Sequence, residues 1–342
     1  MRNIKKALGL LAIVALVLPV ATIGQDDGLL GDISARGNLV CGVNTGVPGF
    51  GFQDEEGNFS GFDIDYCRAL SVAVFGDTTS IDFRPTAAAD RFTSLGSGEI
   101  DVLVRNTTWT FTRDNDLGAN FAPTTYYDGQ GFMVRSASGV ENIDQLDGAT
   151  VCVLQGTTTE LNLADEAAAR GITLNPLSFG GTAERDGAYD EGRCDALTSD
   201  SSQLAGIRTN LSNPDEHVIL SEIISKEPLG PVVAHGDDTW FDVVKWTVFC
   251  TFEAEELGVD SSNVDDQIAN ATSPSVLRLL GVEGDLGAQL GLSNDFCANV
   301  IRELGNYSEI YSRNLDPIGL PRAGTLNALN GEGGLIYSPP FR

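Results

Sequence analysis

The chain has 342 residues, 42% of them hydrophobic and 20% charged, the balance of a globular protein long enough for two lobes with a core each. Acids outnumber Lys and Arg by 48 to 21, a formal charge of −27, and a field of that sign repels phosphate backbones and anionic lipid, which excludes nucleic acid and membrane surfaces as partners. A small anionic ligand stays open, because salt screens charge beyond about 8 to 10 Å and a local site can oppose the global sign.

The first element is a leader. Arg2, Lys5 and Lys6 precede an apolar run from Ala7 to Ala21 that is too short to span a bilayer comfortably, so residues 1–24 read as a signal peptide cleaved near Ala21 to Gly24. No cysteine precedes Cys41 to carry a lipid anchor, so the mature protein is expected to be exported and free in solution. In an exported chain thiols tend to pair. The six cysteines allow many connectivities and sequence alone does not choose among them. Sequential pairs, Cys41 with Cys67, Cys152 with Cys194 and Cys250 with Cys297, are favoured because each closes within one compact region. On a loop-entropy basis each bond would contribute about 3 to 4 kcal/mol. Metal binding is the weaker use of these thiols, since the chain has no CxxC and only two histidines, His217 and His235.

Next come a short buried strand over NLVCGVN (38–44) and a helix over 61–76, whose apolar spacing runs through Ile64, Cys67, Leu70 and Val74. A strand over 81–85, a helix over 89–98 and a strand over 100–106 complete a β-α-β-α-β unit with parallel strands and right-handed crossovers. The unit returns as strand 150–155, a helix starting near Thr159, strand 172–179, a helix over TAERDGAYDEG and strand 194–200. FAPTTYYDGQGFMVR (121–135) and ISKEPLGPVV (224–233) carry the glycine and proline of extended connections between lobes. A long helix over 237–258 then buries Trp240, Val244, Val248 and Phe252 and returns to the first lobe. The α/β fold class is therefore two lobes joined by a two-segment hinge, and ligands of open α/β sheets sit beyond the carboxyl ends of the strands.

At those ends lie the candidate residues. The third strand of the first lobe runs into Asn106, Thr107, Thr108, Trp109 and Thr110, with Arg113 three residues on. A guanidinium there can grip a carboxylate with two parallel hydrogen bonds, while hydroxyls complete the cage; the plainer alternative pairs Arg113 with Asp114 or Asp116 on the surface. In LQGTTTE (154–160), Thr157, Thr158 and Thr159 open a helix whose free N–H groups and partial positive charge suit an anion. Threonine before a helix is also an N-cap, and both roles can hold. Asp200, closing CDALTSD, could hold an ammonium group or cap the helix SSQLAGI. Trp109, Tyr126, Tyr127, Phe50 and Phe52 are candidates for a side-chain wall or for core. Arg91 and Arg105 reach the cleft or pair with surface acids such as Asp90.

GFDIDYCRAL, SGEIDVLVRNTTWTFTR, ATVCVLQGTTTELNLAD, GRCDALTSD, EIISKEPLGP and GDDTWFDVVKWTVF together resemble the general L-amino-acid-binding periplasmic proteins of amino-acid ABC transporters, in the type II solute-binding class, from about Gly37 to the end. The resemblance implies that Arg113 and Thr108, with Thr158, bind an α-carboxylate and that Asp200 binds the α-amino group, with Asn106 and Thr157 lining the same pocket. Asn44 stands where narrower relatives place an acid that selects basic side chains, and its neutrality fits broad choice. Trp109, Arg91 and Tyr127 are added as side-chain contacts. Cys250 and Cys297 lie outside the family pattern. The expected protein is a monomer in the periplasm that captures a free L-amino acid for an inner-membrane permease, with no metal, no cofactor and no catalysis. Its first lobe would take 25–130 and 228–342 and its second 131–227. The rivals are an enzyme on the same fold, a dehydratase acting on a cyclic carboxylate, and a sensing domain.

Overall fold

The computed structural model describes residues 28–342, so the expected leader lies outside the described residues. Strand Leu39–Val43 is buried along its whole length, as a parallel strand paired on both edges and covered on both faces must be. Ile81–Pro85 and Val102–Leu103 flank it in parallel, and the sheet continues antiparallel through Val232–Ala234 to Ala119–Phe121. The second sheet repeats the plan. Thr150–Leu154 lies between Asn175–Phe179 and Ala196–Asp200, parallel to both, and Gln130–Arg135 and His217–Ile219 extend it antiparallel. Helices Phe62–Phe75 and Arg91–Gly96 make the crossovers of the first lobe, Thr158–Arg170 and Thr182–Asp190 those of the second. The two-lobed α/β architecture expected from the sequence is the one found.

One expected element is shorter. The strand foreseen over 100–106 ends at Leu103, because the chain leaves extended geometry at Asn106, whose φ of 41° makes it the one non-glycine residue with positive φ among the described residues.

Between the sheets the chain crosses twice, and the two crossings pair. Tyr126–Asp128 and Glu227–Leu229 form an antiparallel ladder of two strands, the hinge on which the lobes are hung. Asn327, from the C-terminal segment, accepts the Tyr127 N–H at 2.7 Å and donates to the Tyr127 carbonyl at 3.1 Å. The long helix Asp238–Glu256 starts at an Asp237 cap that accepts the Trp240 N–H. It buries Trp240, Val244, Val248 and Phe252 in one core with helices Phe62–Phe75 and Phe296–Leu304, so the tail does return to the first lobe. Disulfides join Cys41 to Cys67, Cys152 to Cys194 and Cys250 to Cys297. Among the described residues no helix is long and apolar enough to cross a membrane.

The lobes touch across the cleft. A Cβ on Gly206 would stand 2.3 Å from the carbonyl oxygen of Pro48, and one on Gly156 would stand 2.9 Å from the Cα of Ala89. No side chain fits at either place without the lobes parting.

Candidate ligand-binding site

Where the sheets face each other, strand ends and helix starts from both lobes enclose a small polar hollow, placed where ligands of two-lobed α/β proteins sit. The first lobe contributes Asn44, Arg91, Arg105, Asn106 and Thr108; the second contributes Thr157, Thr158, Thr159, Arg185, Ser199, Asp200 and Gln203, with Leu154 at the edge.

Asn106 is held in its unusual backbone conformation by buried Asp63, which accepts the Asn106 N–H at 2.8 Å. Burial raises the Asp63 carboxyl to about 6, against the opposing pull of that N–H and of Arg105. The amide of Asn106 is buried with both its oxygen and its nitrogen unpartnered, the condition of a group waiting for something to bind. Asn44 commits its oxygen to a turn, accepting the N–H groups of Thr45 and Gly46, so only its amide nitrogen is left for the hollow.

Arg113 is buried and forms no ion pair among the described residues. Neither surface acid of the plainer alternative, Asp114 or Asp116, pairs with it among the described residues, and Asp114 accepts the Trp109 Nε1–H instead. The guanidinium lies behind Thr108, donates to the Thr108 carbonyl at 2.8 Å and sits over the Phe92 ring. It does not itself line the hollow. Burial lowers its pKa, while Glu227 and Asp200 pull the other way.

In the second lobe Thr157 is the N-cap of helix Thr158–Arg170: its Oγ1 accepts the Glu160 N–H and donates to the Leu154 carbonyl. Its hydroxyl is thus spent on local structure. Thr158 is the neighbour that reaches out, 3.4 Å from the Thr108 hydroxyl of the first lobe and donating to Glu227 of the hinge at 2.9 Å. Asp200 occupies the N-cap position of helix Ser201–Thr209, yet its side chain makes no capping bond. It accepts from Gln203 Nε2 instead. Burial, followed by the charges of Asp128 and Glu227, drives its pKa well up, with Arg91 and Arg113 opposing. A buried carboxylate in that position is short of a cation.

Trp109 and Tyr127 stand outside the hollow. Trp109 is 44% exposed and stacks on Phe121, while Tyr127 sits in the hinge strand under Asn327. Phe50 and Tyr126 are core, packed edge to face, and Phe52 borders a separate hollow between the lobes beside Gly187 and Ile207. Sequence reasoning passed over Arg185, Ser199 and Gln203. The signal for Gln203 was its place three residues beyond Asp200 on one helix face; Arg185 lies among acids in the helix read over TAERDGAYDEG, where nothing local marks it as buried.

Two lobes on a paired hinge, closed over a small polar hollow to which both contribute charged groups, are the architecture of a receptor that encloses a solute. The chain belongs to the bacterial extracellular solute-binding proteins, family 3, which it matches over residues 39–273. It is 52% identical to the general L-amino acid-binding periplasmic protein AapJ of Rhizobium johnstonii, covering 97% of this chain and 98% of that one. It is 47% identical to the glutamate/glutamine/aspartate/asparagine-binding protein BztA of Rhodobacter capsulatus, covering 98% of each. Among solved structures, a periplasmic binding protein of an ABC transporter from Brucella ovis with glutathione bound superimposes with a TM-score of 0.89 at 49% identity, covering 92% of this chain and 99% of that one.

Proposed function

We propose that this protein captures a free L-amino acid between its lobes in the periplasm and, as a monomer, hands it to an inner-membrane ABC permease. The observation that carries the reading is the placement of Thr108, backed by Arg113, across one hollow from Asp200. A zwitterion has the matching pair of charges. Its α-carboxylate meets the Thr108 and Thr158 hydroxyls and draws Arg113 forward into a two-pronged contact. Its ammonium group supplies the cation that Asp200 lacks. Asn106, Asn44 and Arg91 surround the rest, with Thr157 shaping the helix start behind Thr158; Trp109 and Tyr127 take no contact. The near full-length likeness to a general L-amino acid-binding protein supports broad choice of substrate.

Closure follows from the same contacts. Thr108 belongs to one lobe and Asp200 to the other, so only the shut form satisfies both ends of the ligand, and that difference is what shifts the equilibrium. We assign the protein no catalytic step, residues 1–24 to a cleaved leader, and the lobes to 25–130 with 228–342 and to 131–227.

A thermal-shift series over the free L-amino acids tests the reading, since a ligand that binds only the folded chain raises the melting temperature by mass action. Several amino acids should shift it. No shift with any of them would overturn the proposal, and turnover of any would overturn the assignment of no chemistry.

A further inference from the structure

One buried carboxylate sits in the hinge itself. Glu227 opens the hinge strand Glu227–Leu229, opposite Asp128 in the ladder, and is 1% exposed. Three side chains donate to it: Ser225 Oγ and Asn162 Nδ2 to Oε1, at 2.6 and 2.9 Å, and Thr158 Oγ1 to Oε2, at 2.9 Å. Among the described residues no cationic side chain stands within ion-pair distance of it. The carboxylate is met by hydroxyls and an amide alone.

A threonine hydroxyl carries one proton. Thr158 gives that proton to Glu227, so the 3.4 Å contact between the Thr158 and Thr108 hydroxyls is donated by Thr108. Both protons therefore point one way, from Thr108 to Thr158 to the hinge carboxylate. An α-carboxylate gripped by these two hydroxyls requires the same two protons. Arg113 is drawn in the same direction: of the two acids that resist the effect of burial on its pKa, Glu227 outweighs Asp200. Donors that suit a ligand's carboxylate are thus committed to a carboxylate of the protein.

We infer that Glu227 is a positioning residue that competes with the ligand for the Thr158 hydroxyl, so that the hinge gives up one hydrogen bond when an amino acid binds and takes it back when the amino acid leaves. The inference rests on the amino-acid reading above, in which Thr158 meets the α-carboxylate. No proton changes owner; the Thr158 hydroxyl turns about its Cβ–Oγ1 bond and exchanges one acceptor for another. Glu227 is not stranded by the exchange, since Ser225 and Asn162 still donate to it. Its negative charge, one hydroxyl away from the α-carboxylate, opposes every ligand alike. Affinity is held below what the donors alone would give, and release is eased from the hinge side. The plainer role for Glu227 is a tie between helix Thr158–Arg170 and the hinge, and on that view any change to it or its partners weakens binding.

Calorimetry on Glu227→Gln and Asn162→Ala separates the two roles, using L-glutamine, L-glutamate and every other L-amino acid that raises the melting temperature of the parent protein. The amide in Glu227→Gln keeps an acceptor oxygen and nearly the same shape but removes the charge. It should bind each amino acid about fivefold tighter, the difference between a charge-assisted and a neutral hydrogen bond, with their ranking unchanged. Asn162→Ala strips one of the other donors from Glu227 and leaves it more dependent on Thr158, so binding should weaken about twofold to threefold. Opposite signs in the two variants are what a tie cannot produce. Glu227→Met, which removes the acceptor along with the charge, should also gain affinity and serves if Glu227→Gln fails to fold. Unchanged or weaker binding on removal of the charge would overturn the competition while sparing the amino-acid reading. Absence of binding of every amino acid by the parent protein would overturn both.

Discussion

Gly206 of one lobe lies against Pro48 of the other so closely that a single methyl on it would stand 2.3 Å from the Pro48 carbonyl oxygen. That oxygen belongs to backbone and cannot swing aside. Gly206 is inside helix Ser201–Thr209 with ordinary helical dihedrals, where alanine is intrinsically better by about 0.8 to 1.0 kcal/mol. Gly206→Ala should therefore leave the unliganded protein as stable as before or more so, while lowering affinity for every ligand by holding the lobes apart. Gly46→Ala, which meets only the movable side chain of Thr182, should lose less. Melting curves and calorimetry on the two variants check the pair; unchanged affinity in Gly206→Ala would show that the shut arrangement does not carry binding.

Removal of the guanidinium behind Thr108 should act on all ligands equally, because the α-carboxylate is common to them. Arg113→Ala is expected to cost about 2 to 5 kcal/mol of binding free energy, the usual loss when one partner of a buried charged contact is deleted. Arg113→Lys should recover part of it as a point charge without the planar fork. Trp109→Ala should change neither affinity nor ranking. A ranking altered by Trp109→Ala would bring that side chain back into the site.

The buried acids set a pH dependence with a definite sign. Asp63 is raised to about 6, and Asp128 and Asp200 are also raised, all chiefly by burial, from an ordinary value of 3.8. The folded chain therefore holds protons that the unfolded chain has already released, and the stability this provides is full below the unfolded value and drains away as pH rises through the folded ones. The unliganded protein should melt higher near about pH 5 than near about pH 8. Binding of an ammonium group favours ionised Asp200, so proton release should accompany it and affinity should climb with pH over the same range. Calorimetry in buffers of different ionisation enthalpy reads the proton directly; uptake in place of release would contradict the role given to Asp200.

At Asn106 strain and function can be separated. Alanine in its left-handed conformation carries the full steric penalty and glycine none, so Asn106→Gly should be more stable than Asn106→Ala by about 1 kcal/mol. Both lose the unpartnered amide, and both should bind ligand more weakly to a similar degree. Denaturant titration gives the first comparison and calorimetry the second; full affinity in the glycine variant would reduce the amide to a structural accident.

The Cys250–Cys297 bridge closes 47 residues at the back of the first lobe, between two helices that do not line the hollow. Replacing both with alanine should cost about 2 to 4 kcal/mol of stability with ligand affinity unchanged. An affinity loss exceeding the stability loss would tie the bridge to closure.

How much of this could be read in the chain depends on how local each cause is. The junctions beyond the strands that bear Asn106, Thr158 and Asp200 follow from period and punctuation alone, although the first of those strands is shorter than its pattern suggests, and the hinge crossings follow from glycine and proline between two repeated units. The choice between cap and ligand contact was closed to sequence: Thr157 and Thr158 are equivalent on paper, and only the helix start shows that the first is spent on Glu160. Trp109 misled because a neighbour in sequence need not share a face; next to inward Thr108 it turns outward onto Phe121. Arg185 was hidden more deeply. It belongs to a polar helix, and the hollow it lines is shared with Asn44, Arg91 and Arg105 of the other lobe, a proximity that no local pattern records.

The grip of Asn327 on Tyr127 reaches further than its two hydrogen bonds. By taking both the N–H and the carbonyl of one hinge residue, a side chain from the far end of the polypeptide acts as a third, one-residue strand beside the ladder that must bend. Stiffness at the pivot is thereby set by a part of the molecule that never meets the cargo. Change at position 327 can tune how readily the jaws open and release, leaving what they recognise untouched.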